Sequence, residues 1–173
     1  MLERNPLLAQ SAADRPRQSA PQPETSMLDN IYNQRILELA ANIPRLGRLP
    51  DPDASAFVHS KLCGSTVTVD IKLRDGAIAD FAQDLKACAL GQASASILAR
   101  NIIGATPTEL RALRDGVRAM LKENGPPPGG KWADLAVLEP VRYYKARHAS
   151  TLLVFDAVVD ALRKIDAKAD AGQ

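Results

Sequence analysis

Cys63, Cys88 and His148 are the side chains of this sequence best suited to holding a metal ion or handling sulfur. Each sits in a distinctive setting: Leu62-Cys63-Gly64-Ser65, Ala87-Cys88-Ala89 and Arg147-His148-Ala149-Ser150. Cys88 falls where a helix is expected to begin. The first backbone N–H groups of a helix lack partners and its dipole is positive there, so a helix start favours thiolate over thiol. Thiolate is the form that ligates metals and attacks sulfur. Gly64 allows a sharp turn directly after Cys63 and leaves that thiol uncrowded. Spacing alone is a weak signal, because Cys63 and Cys88 match no compact metal motif. Read without context, a free cysteine is more often a small buried hydrophobe, and a lone histidine a surface or hydrogen-bonded core residue. His59 precedes Cys63 by four residues; on a straight strand the two would be about 13 Å apart, too far to share a metal.

These residues belong to a chain of 173 residues, enough for one domain with a real core. Hydrophobic residues at 46% and charged residues at 24% fit a globular protein. A net charge of +2 and few aromatic residues argue against a nucleic-acid partner. No apolar run is long enough to span a bilayer, so no membrane is implied, and the N-terminus lacks the apolar centre of a secretory signal. With two cysteines only, a reducing, cytoplasmic setting is expected, where paired thiols suggest metal or redox chemistry before a structural disulfide.

The elements that must position the three residues follow from hydrophobic periodicity. Residues 1–26, rich in Ala, Gln, Arg, Pro and Ser, read as a disordered segment, with Met27 a candidate true start. Residues 28–42 carry Ile31, Ile36, Leu37 and Ala40 at helical spacing, ended by Pro44. Strands are expected at 56–62, 67–73 and 78–85. In the second, Val67, Val69, Ile71 and Leu73 alternate with Thr68, Asp70 and Lys72, giving a dry and a wet face. Asp75-Gly76 is the turn to the third.

Residues 88–103 form a helix of small side chains able to lie close against a sheet. Thr106-Pro107-Thr108-Glu109 signals a capping box opening the next helix, with Leu110, Leu113, Val117 and Leu121 inward. Residues 126–147 read as a loop-rich insertion. A last helix is predicted from 150 to 165 and a disordered tail at 169–173. The fold class is α+β: a three-stranded antiparallel sheet packed against four to five helices.

This pattern resembles the U-type iron–sulfur cluster scaffold family (NifU N-terminal, IscU and SufU), nearest its SufU-like branch. Asn42-Ile43-Pro44-Arg45-Leu46-Gly47 is similar to the family's Asn-Pro-Arg-x-x-Gly loop with one residue inserted. Cys63-Gly64 matches its first Cys-Gly. Cys88 followed by Ala89-Leu90-Gly91-Gln92-Ala93-Ser94-Ala95-Ser96 matches its second cysteine and small, serine-rich helix, the most specific likeness. Asp134-Leu135 through Arg147 looks like the SufU insertion. The resemblance covers nearly all of residues 28–166 and implies a SufE/NifU-like sandwich spanning 27–168.

The family's three cysteines and one aspartate hold zinc or a cluster under construction, or accept sulfur. The resemblance therefore implies an iron–sulfur cluster or a zinc or iron ion on Cys63 and Cys88. A cysteine desulfurase and apo-protein acceptors are the implied partners. Ser65 stands in the place of the aspartate. The third cysteine is replaced by Ser150 when Arg147 and Asp156-Ala157 are aligned. A shift of one residue puts Ala149 there instead, with His148 matching the histidine before that cysteine in IscU-like members. Two thiolates plus His148 would make three ligands, so a bound metal or cluster would be weak, exposed or shared; zinc with an open position fits the same set.

The first reading is a non-enzymatic scaffold or accessory protein of cluster assembly. The second is a degenerate homologue acting as a binding, regulatory or thiol-redox module. The third is a thiol enzyme with Cys88 as nucleophile and His148 as base.

Overall fold

The computed structural model describes residues 31–172. The expectations for residues 1–26, for Met27 and for the start of the first helix lie outside them. Helix α1 spans Gln34–Ala41, with the Asn33 side chain accepting from the Ile36 N–H at 3.0 Å. Its buried residues are Ile36 and Leu39, while Leu37, expected inside, is half exposed. The cap at Asn33 sets the helix phase, and Ile31 lies before it.

Strands β1 (Ala54–His59), β2 (Thr66–Arg74) and β3 (Ala77–Lys86) form an antiparallel sheet in that order. Strand β1 starts earlier and stops sooner than expected, because the chain folds back at Ser60. Ser60 N–H donates to Ser65 O and Gly64 N–H to Ser60 O, each at 2.8 Å. Gly64 sits at φ +72°, a conformation open to glycine at little cost. Val67, Val69 and Ile71 face the core, as their alternation requires. Asp70, expected on the wet face, is fully buried. The 42–53 loop folds over it: Arg48 Nε and Nη2 donate to its carboxylate at 2.7 and 3.0 Å, Leu49 N–H at 2.9 Å, and the Ser55 hydroxyl adds a fourth bond. The same loop pairs with β3, where Gly47 N–H and Arg45 O bond the Gln83 backbone.

Helix α2 spans Ala89–Asn101 and α3 spans Pro107–Lys122, the latter opened by the expected capping box between Thr106 and Glu109. Helix α4 spans Lys145–Ala171, longer at both ends than predicted, and continues through 169–171 of the expected tail. It packs across β1 and β2. The small-sided α2 meets α1, α4 and the segment before α4 more than it meets the sheet.

That segment is where the loop-rich expectation fails. Residues Gly130–Tyr143 wind as a 3₁₀ helix. Its buried residues are Trp132, Leu135, Leu138 and Val141, spaced by three throughout. A 3₁₀ helix has 3.0 residues per turn, so all four share one face. Burying each contributes about 2 kcal/mol, which sustains a helix type normally limited to one turn. Among the described residues no helix is long and apolar enough to cross a membrane.

Candidate functional site

Cys63, Gly64 and Ser65 belong to the turn joining β1 to β2. Cys88 is the residue before α2, reached directly from the end of β3. Thr66 pairs with Lys86 across the sheet, so that turn and Cys88 lie at the same sheet end. The fold thus brings the two distant cysteines to one edge, and both are free thiols.

Each thiol has a serine beside it. Cys63 Sγ is 3.1 Å from Ser65 Oγ, and Cys88 Sγ is 3.4 Å from Ser150 Oγ. Ser150 comes from the second turn of α4, and its hydroxyl donates to Arg147 O at 3.1 Å. Its oxygen is therefore the acceptor for the Cys88 thiol. Of the two aligned positions, Ser150 touches a cysteine, whereas Ala149 lines a separate hollow with Leu152 and Leu153.

Cys63 is exposed, and the Ser60 and Ser65 hydroxyls, followed by backbone N–H groups, lower its pKa against the smaller upward push of burial. Ser60 Oγ has no other hydrogen-bond partner and so is available to the Cys63 sulfur. Alkylation of Cys63 is accordingly expected to reach half-maximal rate at a lower pH than for an ordinary thiol. In Ser65→Ala the midpoint should move upward; an unmoved pH–rate midpoint would remove the hydroxyl from the account.

His148 lies near the start of α4, against the 3₁₀ segment. It is 4% exposed, with Nε2 3.0 Å from Val141 O and 3.2 Å from Arg142 O. Nε2–H is thus a donor to the last carbonyls of the 3₁₀ segment, and the imidazole serves to join that segment to α4. The same bond removes Nε2 as a base for Cys88, which meets Ser150 instead. Among the described residues no three His, Cys, Asp or Glu side chains gather as a metal-holding group. The Ser65 and Ser150 contacts are the part of the site that residue spacing did not settle.

Gly91 keeps the site compact. A Cβ there would stand 2.9 Å from Ala87 Cβ and 3.1 Å from Ser150 O, so only glycine lets α2 approach α4 at this point. Gly91→Ala is expected to destabilise the fold by about 1–3 kcal/mol, the usual range for overpacking. It should also speed alkylation of Cys88 as Ser150 is displaced. Thermal unfolding and thiol-labelling rates check both.

The NifU-like N-terminal domain family matches residues 31–150. The chain is 28% identical over 136 residues to the iron–sulfur cluster assembly scaffold protein IscU of Thermotoga maritima, covering 78% of this chain and 94% of that relative. A crystal structure of a nitrogen-fixing NifU-like protein (N-terminal) from Brucella abortus aligns with TM-score 0.81 and 65% identity, over 82% of this chain and 99% of the other. A SufU structure from Fervidobacterium islandicum aligns with TM-score 0.72 at 21% identity, over 78% and 98%, a likeness of fold.

Proposed function

The chain belongs to the NifU-like N-terminal domain family, and on that premise we propose that it is an iron–sulfur cluster assembly scaffold whose protein ligands are the Cys63 and Cys88 thiolates. The observation carrying this reading is the arrival of both thiols at one sheet end, each beside the serine that stands at a position of a missing family ligand. Ser65 corresponds to the aspartate and Ser150 to the third cysteine. The thiol–hydroxyl contacts support Ser150 over Ala149 for that position, and the lack of a three-ligand group among the described residues supports a structural role for His148.

Two thiolates satisfy half of the four that usually hold a cluster. Neutral hydroxyls are weak donors to iron, so the cargo is held loosely and its remaining ligands come from a partner. A cysteine desulfurase would supply sulfur, and apo-proteins would receive the cluster. The protein acts as a carrier in the cytoplasm, not as a catalyst. The degenerate-module alternative lacks a specific observation in its favour.

Anaerobic reconstitution with ferrous iron and sulfide tests the assignment. A visible charge-transfer absorption is expected, bleached quickly by a chelator and absent from the Cys63→Ser/Cys88→Ser variant. Absorption and iron retention equal in wild type and variant would refute the ligand set.

A further inference from the structure

A hollow of about 380 Å³ lies between the β1–β2 turn, α3 and α4, without Ser150 in its lining. This is the size of a small-molecule site. Its lining carries four basic side chains, Lys61 from the β1–β2 turn and Arg114, Arg118 and Lys122 from α3. The only acid lining it, Asp156, is already engaged by Arg114 Nε at 2.9 Å. Lys61, Arg118 and Lys122 form no ion pair among the described residues. The lining also includes the apolar Val58, Leu152 and Leu153. Low-dielectric walls strengthen the field of cations that have no counter-charge.

A second feature points to a ligand. Ser60, 5% exposed, lines this hollow, and its buried Oγ has no hydrogen-bond partner. Leaving such a group unsatisfied costs about 1–3 kcal/mol, and a bound acceptor would relieve it. An adjoining hollow of about 360 Å³ shares Lys122 and adds Arg142 and Lys145; the Arg142 Nε is likewise buried and unpartnered. Arg142 is paired with Glu139 through Nη2, so among the described residues the unmatched positive charge of the two hollows lies on Lys61, Arg118, Lys122 and Lys145.

We propose that this basic hollow binds a small multivalent oxyanion, a phosphate or carboxylate compound held by Lys61, Arg118 and Lys122 and accepting a hydrogen bond from Ser60. The site is separate from the Cys88–Ser150 contact. Through Ser60 it adjoins Cys63, so its ligand would compete with the Cys63 thiolate for the same hydroxyl.

The test is calorimetric titration of the full chain with pyrophosphate and with citrate, against sodium chloride of equal ionic strength. Saturable binding of either anion is expected. Pyrophosphate alone would identify a phosphate ligand and citrate alone a carboxylate one; either supports the site. Arg118→Ala/Lys122→Ala should weaken binding at least tenfold. Ser60→Ala should weaken it several-fold while leaving thermal stability equal or higher, a combination that general misfolding would not give. No binding beyond chloride, or affinity unchanged in both variants, would overturn the proposal. So would binding of a polyglutamate peptide with neither small anion bound, which would make the surface a protein-docking face.

Discussion

Replacing Asp70 by alanine is expected to cost about 3 kcal/mol of folding stability, the scale for removing a buried charged acceptor from its donors. The carboxylate is completely buried and accepts from Arg48 twice, from Leu49 N–H and from Ser55. Its loss would leave the Leu49 N–H and the Ser55 hydroxyl without their acceptor and release the 42–53 loop from β2. Arg48→Ala should cost less, since that guanidinium is half exposed and water takes over its role. Burial pushes the Asp70 carboxyl up, but Arg48, Ser55 and the Leu49 N–H together outweigh it and hold the group below the ordinary carboxylate value. With the folded value depressed, this stabilisation is fully present above the unfolded value of about 3.9. It is lost as pH falls through the lower folded value. Denaturant unfolding should show wild type and Asp70→Ala well separated at pH 7 and converging in strong acid. A gap that stayed constant with pH would mean that the ionised form contributes nothing.

Ser150→Cys is expected to lengthen the half-life of a reconstituted cluster under chelator challenge at least tenfold. The substitution exchanges one oxygen for sulfur 3.4 Å from Cys88 Sγ and supplies a third thiolate. Sulfur is slightly larger, and Ser150 is 1% exposed, so a small loss in melting temperature should accompany the gain. Ala149→Cys is the control, and it should leave cluster lifetime unchanged. If Ala149→Cys gave the longer lifetime, the ligand position would be 149 and the Ser150 contact incidental.

What could be read from the residues was local. The alternation of Val67, Val69 and Ile71 fixed β2, Thr106 and Glu109 fixed the start of α3, and Gly64 marked a turn that the structure places at positive φ. What could not be read depended on distant segments meeting. Asp70 has the period of a solvent-facing residue, and only the 42–53 loop crossing the sheet makes it buried. His148 has the chemistry of a ligand, yet it joins no three-ligand group among the described residues, and its Nε2 bonds carbonyls six and seven residues earlier. Ser150 gained meaning from Cys88, 62 positions away in the chain. The segment at 130–143 is a different case, since its signal was present: Trp132, Leu135, Leu138 and Val141 recur every three residues, a period between those of strand and α-helix and therefore easily passed over.

That period of three restricts how this stretch can change in length. Each residue of a 3₁₀ helix advances the chain by 120°, so removing one residue near Leu135 would rotate Leu138 and Val141 off the buried face and present their neighbours to the core. Removing three would restore the register and shorten the segment by only about 6 Å. Length variation in this segment is therefore tolerated in whole turns, and a triplet deletion should fold where a single deletion does not.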